Sequence, residues 1–166
     1  ITEPELLEVM MTEATGGTYV FPKVEEPEEP ADKDPNLCAN KNSWSNYINS
    51  GNGAAGNVKI LDNGVRVSVE QPGGNTWDVQ FSYVGLTFEQ GVTYKISFDY
   101  TGTPAQTMNF HMMHNYDPYV TYATVALEYK EETQTYEGTF TMTEPTDKSS
   151  RITFDCGASE CGMPYT

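Results

Sequence analysis

An all-β chain folded as an antiparallel β-sandwich is what this sequence predicts, and three observations carry the prediction. Short segments of alternating apolar and polar residues recur along residues 35–166, separated by Gly, Pro, Asn and Asp. An Asn-Gly pair, Asn63-Gly64, stands between two of them, the strongest short hairpin signal a sequence offers. That stretch has no helical periodicity, which leaves sheet packed on sheet as its way to build a core.

The elements follow in order. Pro4 to Ala14 can form a short helix with Leu6, Leu7, Met10 and Met11 on one side, and Thr18-Tyr19-Val20-Phe21 is a candidate strand. Between Val24 and Pro30 four glutamates and two prolines offer nothing apolar to bury, so this run reads as an extended, self-repelling linker. The body opens after it. Val58–Leu61 and Val65–Val69 flank Asp62-Asn63-Gly64, with Val65, Val67 and Val69 on one face and Arg66, Ser68 and Glu70 on the other. Pro72-Gly73-Gly74 breaks the chain. Strands are then expected over Asp78–Tyr83, Tyr94–Tyr100, Thr107–His114, Thr121–Leu127, Thr135–Met142 and Arg151–Cys156. The expected organisation is therefore 1–34 as an acidic, proline-rich leader and 35–166 as a sandwich.

Charge narrows the function. The 166 residues carry a net −15, of which residues 1–34 hold −8 and residues 35–166 hold −7. Such a chain lacks the cationic surface that phosphate backbones or anionic membranes require. No apolar run reaches the roughly 18 residues of a membrane span. Ile1 opens without a basic or apolar leader, so the sequence reads as a piece of something longer. Tyrosine supplies 11 of the 20 aromatic residues. A flat apolar ring with a hydroxyl suits a neutral polar ligand better than an ionic one.

Several motifs turn out bland. Gly51-Asn52-Gly53-Ala54-Ala55-Gly56 spells G-x-G-x-x-G, but a hairpin strand follows where a dinucleotide site needs a helix, so it reads as a loop. His111 and His114 stand three apart, which on a strand points them to opposite faces and prevents shared metal chelation. Cys38, Cys156 and Cys161 do not have zinc spacing. Cys156 and Cys161 flank a short turn and are either a local disulfide or two thiols, and Cys38 reads as a small buried hydrophobe. There is no G-x-S-x-G and no H-E-x-x-H. Asp78, Asp99, Glu128 and Asp155 could supply a glycosidase-type carboxylate pair only on paper. Trp77 beside the Gly73-Gly74 turn, and Tyr116, Tyr119 and Tyr122 around Asp117-Pro118, are more informative. Aromatic rings at loop rims stack on the C–H faces of pyranoses, whose hydroxyls then need amide, hydroxyl or carboxylate partners. Alternation in Asn109-Phe110-His111-Met112-Met113 sends Phe110 and Met112 to the core and puts Asn109, His111 and Met113 on the polar face.

Residues 57–156 resemble a carbohydrate-binding module of the family 4, 9, 16 and 22 superfamily, closest to family 4. The resemblance is carried in order by Thr76-Trp77-Asp78-Val79-Gln80, Gly85-Leu86-Thr87-Phe88, Gly91 to Asp99, Asp117 to Tyr122, Gln134-Thr135-Tyr136, Phe140 to Asp147 and Arg151 to Asp155. It implies a jelly roll without catalytic activity that binds one glycan chain across its concave sheet and is joined to a glycoside hydrolase. On that footing Trp77 and Tyr116 fall at the sugar-sandwiching aromatics and Gln80 at a hydroxyl-binding position. Tyr119, His111 and Asn109 complete the candidate ligand-binding set. The expected ligand is a β-1,4-linked plant polysaccharide, xylan or xylo-oligosaccharides first and β-glucan or cellulose second, met outside the cell or at a bacterial surface. A gut-bacterial family 10 xylanase is a context compatible with the acidic leader. The rivals are a hydrolase or lyase on the same fold and an adhesion sandwich. No cofactor is expected, with a structural calcium ion as the alternative that the resemblance leaves open. The family's calcium-binding opening run of Gly-Asp-Phe-Glu type is replaced here by Asn36-Leu37-Cys38-Ala39-Asn40, and its closing Asp-Asn strand would begin near Met163.

Overall fold

The computed structural model describes residues 36–62, 64–103 and 106–157. The expected helix over Pro4–Ala14, the strand over Thr18–Phe21 and the linker lie outside these residues, as does Cys161. Nine strands are described: β1 (Trp44–Ile48), β2 (Ala54–Leu61), β3 (Gly64–Pro72), β4 (Val79–Phe88), β5 (Thr93–Tyr100), β6 (Gln106–His114), β7 (Thr121–Tyr129), β8 (Gln134–Thr141) and β9 (Asp147–Asp155). All eight strands expected in the body are present. Among the described residues the only helical turns are three short 3-10 segments, Lys41–Ser43, Ser50–Asn52 and Thr76–Asp78.

Five strands form one antiparallel sheet in the order β1-β4-β9-β6-β7, and the hairpin β2-β3 and the pair β5-β8 form the rest. Neighbours in the large sheet come from distant parts of the chain, as expected of a jelly roll. The Asn-Gly signal marks the β2–β3 turn, with Leu61 opposite Gly64. In β5 the alternation is complete. Tyr94, Ile96, Phe98 and Tyr100 are half-buried against the core, while Lys95, Ser97 and Asp99 are exposed.

The core is aromatic where the layers meet. The Phe98 ring of β5 lies 5.4 Å from Phe110 of β6 and 5.5 Å from Phe154 of β9, both edge to face. Phe154 stacks in turn on Phe81 of β4 at 4.5 Å. Fully buried Phe110 and Met112 confirm the expected register of β6. Each such side chain contributes about 1.5–3 kcal/mol by leaving water.

Two local readings need revision. Asp78 is not a strand residue: it ends the 3-10 turn Thr76–Asp78, and β4 starts one residue later. The strand β1 was not anticipated, because its five residues Trp-Ser-Asn-Tyr-Ile put apolar side chains only near the ends. Cys38 packs against the core as a partly buried side chain, and burial pushes its thiol up to about 11. Cys156 is buried, its Sγ 3.4 Å from Met108 Sδ.

Candidate functional site

The large sheet has two unlike faces. Val79, Phe81 and Tyr83 of β4, Met108, Phe110 and Met112 of β6, and Ile152 and Phe154 of β9 turn to the core. The alternate residues make a polar outer face, and strand pairing lays them out in rows. One row runs Tyr47, Gln80, Asp155, Asn109, Ala126 across β1-β4-β9-β6-β7. The next runs Ser45, Ser82, Thr153, His111, Thr124, and a third holds Val84, Arg151 and Met113. Gln80, Asn109 and His111, three of the residues singled out from sequence, therefore share one face.

These side chains are cross-linked. Gln80 Nε2 donates to Asp155 Oδ1 at 2.7 Å, and Thr76 Oγ1 donates to Asp155 Oδ2 at 3.3 Å. His111 Nε2 lies 3.3 Å from the same Oδ2 and its Nδ1 is 2.8 Å from Thr124 Oγ1, an ion pair to Asp155 when the ring is protonated. Ser82 Oγ donates to Thr153 Oγ1 at 2.6 Å. Prearranged donors and acceptors of this kind lose little conformational entropy on meeting hydroxyls.

Two loops stand at opposite ends of the strands. Gln80 and Asn109 share one row, whereas His114 ends β6 five residues further on, about 17 Å at strand spacing. At the near end the turn Thr76–Asp78 carries Trp77, which is 53% exposed. Fully buried Asp78 holds this turn. Its Oδ1 accepts from Asn49 Nδ2 at 2.9 Å, and its Oδ2 accepts from Asn52 Nδ2 and from the backbone N–H groups of Gly74 and Asn75 at 2.9 and 2.8 Å. Burial opposes the charge on Asp78, yet these donors hold its carboxyl below the usual range. Gly73, with φ +80°, leaves room for it: a Cβ there would fall 2.7 Å from Asp78 Cβ.

At the far end the loop 115–120 carries Tyr116 and Tyr119. Tyr116 packs on His114, ring centroids 4.5 Å apart, and Tyr119 turns over the outer face, its ring 5.2 Å from Arg151 Cζ. Tyr119 does so with φ 55°, a backbone that non-glycine residues seldom adopt. Buried Asp147 anchors this end. Its Oδ2 accepts from Ser150 Oγ at 2.6 Å and Tyr122 Oη at 3.0 Å and lies 3.0 Å from His114 Nδ1, while its Oδ1 accepts from the Ser149 N–H. Burial again opposes the charge, and Ser150, Ser149, Tyr122 and His114 together hold Asp147 below the usual range. Tyr122 moves the other way, pushed up by burial, by its hydrogen bond to Asp147 and by that carboxylate's charge.

Neither buried aspartate is a raised-pKa acid, which is what a glycosidase would need. Asp99 accepts from Thr135 on the β5–β8 pair, away from the large sheet, and Asp155 is tied by Gln80, Thr76 and His111. In the opening segment Asn36 Oδ1 accepts from the Cys38 N–H and Asn40 Oδ1 from the Asn42 N–H. Among the described residues no group of three or more His, Cys, Asp or Glu could hold a metal ion. Nor, among them, is any helix long and apolar enough to cross a membrane.

The sequence profile of a family described as "Carbohydrate binding domain" (CBM_4_9) matches residues 36–161. The chain belongs to this family. It is a non-catalytic polysaccharide-binding module. A solved family 4 carbohydrate-binding module is similar at 24% identity with a TM-score of 0.66, covering 76% of this chain and 84% of that one. The N-terminal cellulose-binding domain of Cellulomonas fimi β-1,4-glucanase C is similar at 20% identity and TM-score 0.57, covering 74% and 81%. The apo module BiXyn10A CBM1 follows at 16% and 0.51, covering 68% and 85%. At these identities the likeness is one of fold. Among curated proteins none matches this chain.

Sequence reasoning missed Tyr47, which is 50% exposed beside Gln80 on the outer face, and Arg151 in the third row. The alternation of β9 could have placed Arg151, since Ile152 and Phe154 fix its parity. Tyr47 had no signal once β1 went unread.

Proposed function

We propose that the outer face binds a β-1,4-linked plant polysaccharide chain, xylan or xylo-oligosaccharides, lying across the strands. Trp77 forms one wall and Tyr116 and Tyr119 the other, with Gln80, Asn109 and His111 on the floor. Rings stack on sugar C–H faces, and the cross-linked amides, hydroxyls and imidazole meet the hydroxyls. Two observations support this reading: an ordered polar floor on the outer face, and loops at the two ends of its strands that expose aromatic side chains. Binding needs no cofactor. It would keep an attached glycoside hydrolase on its polymer outside the cell or at a bacterial surface, with residues 1–34 as the acidic linker.

Cellulose or mixed-linkage β-glucan is the second reading, because one similar structure is a cellulose-binding domain. Affinity electrophoresis in xylan, β-glucan and hydroxyethylcellulose gels separates the two: retardation strongest in xylan supports the first. Equal mobility in all three gels and in a blank gel would rule out both. Reducing-sugar release from the same polymers should stay at background.

A further inference from the structure

The outer face holds a cation that has no ion-pair partner among the described residues. Arg151 sits between Val84 of β4 and Met113 of β6, half-buried, with the Tyr119 ring over its guanidinium. Its Nη2 meets Met113 Sδ at 3.6 Å, a weak acceptor, and its buried Nε has no hydrogen-bond partner. Among the described residues it makes no ion pair. The carboxylate whose charge reaches it, Asp155, is engaged by Gln80, Thr76 and His111. Burial lowers the guanidinium pKa, and Tyr119 and Asp155 offset this only in part. Arginine stays charged in proteins, so its donors remain there to be used. A planar fork of N–H groups fits a carboxylate in two parallel hydrogen bonds.

We propose that Arg151 and Tyr119 form an acid subsite on this face, which takes a carboxylate borne by the glycan and so favours chains carrying uronic acid. The proposal rests on the glycan reading above and adds to it the charge of the ligand. The guanidinium supplies the fork. Tyr119 covers one side of it, which raises the strength of a charged hydrogen bond by limiting water. The neutral floor and the aromatic walls would bind the main chain, and the acid group would add selectivity.

The test is calorimetry on the full chain with three oligosaccharides of equal main-chain length: unsubstituted xylo-oligosaccharide, one bearing a single glucuronic acid, and the methyl ester of that acid. The acid should bind about tenfold more tightly than its ester, and 0.5 M salt should shrink that ratio toward one. Arg151→Gln should abolish the ratio while leaving the unsubstituted ligand within about threefold. Arg151→Lys, which keeps the charge without the fork, should retain part of it. Equal affinity for acid and ester in the unmodified chain would overturn the proposal, and that comparison stands even if the variants fail to fold. A uniform loss for all three ligands in Arg151→Gln would also overturn it. The same acid and ester comparison on cello-oligosaccharides covers a glucan main chain. Arg151-dependent binding of that acid, with no binding of any xylo-ligand, would remove xylan as the ligand and leave the acid subsite standing. No binding of any of these ligands would overturn both.

Discussion

Asp78 takes its hydrogen bonds from three asparagine side chains and two backbone N–H groups; Asp147 takes its own from a serine, a backbone N–H, a tyrosine and a histidine. Each buried carboxylate ties down one end of the outer face, Trp77 at the first and the Tyr116–Tyr119 loop at the second. The difference lies in which donors can titrate. The donors to Asp78 are amides, which do not ionise, whereas Asp147 is held in part by two ionisable side chains, His114 and Tyr122. Both carboxylates can titrate, but only the tyrosine end is also held by donors that can ionise.

Removing the carboxylates tests that contrast most severely. Asp78→Ala leaves Asn49, Asn52, Asn75 and two backbone donors without their acceptor, and should cost more than about 3 kcal/mol in urea unfolding, since each buried donor left unsatisfied costs about 1–3 kcal/mol. It should also weaken glycan binding in whatever fraction remains folded, because Trp77 loses its anchor. Asp147→Asn keeps an oxygen that His114 or Tyr122 can still use, and should cost less, about 1–3 kcal/mol. If the second variant proves the more damaging, the two ends have the opposite ranking.

Titration sharpens the comparison. Both carboxylates are held below the usual range, so each stabilises the fold above the ordinary aspartate pKa of about 4, and that contribution is lost as pH falls below it. Tyr122 is held above its usual value, so its contribution is complete below about pH 10 and is lost as pH rises past it. Hydrogen exchange at pH 10 to 11 should therefore loosen residues 115–122 before residues 74–80. Tyr122→Phe should reduce that alkaline loosening, and simultaneous opening of both ends would show that they are not independent. The smallest effect is expected from the leader: deleting residues 1–16 should leave Tm within a few degrees by calorimetry, and loss of cooperative unfolding would show that the leader belongs to the sandwich.

Much of the fold was legible because period-2 alternation survives wherever one strand face is buried. Residues 94–100 and 107–113 show it plainly, and the parity of Phe110 and Met112 placed His111 on the outer face before any contact was known. Sheet order was not legible, since β1-β4-β9-β6-β7 joins residues more than 60 positions apart. The site was half legible. Trp77 and the tyrosine loop stand out by their turn residues. The role of Asp78 does not, because four of its donors come from a turn more than 20 residues earlier and from backbone that no composition marks. Arg151 looked like an ordinary strand residue until Tyr119 was seen to lie over it.

The account's central claim is that a glycan lies on the outer face between these two ends. Calorimetry with xylohexaose on the unmodified chain, Trp77→Ala, Tyr116→Ala and Tyr119→Ala tests it most directly. All three residues are about half exposed, so Tm should fall by only a few degrees. Each stacked ring contributes roughly 1–3 kcal/mol, by analogy with aromatic stacking on other flat ligands, which is about tenfold to a hundredfold in affinity. The account predicts that loss for Trp77→Ala and for at least one tyrosine variant. Unmodified affinity in Trp77→Ala, with the fold intact, would contradict it.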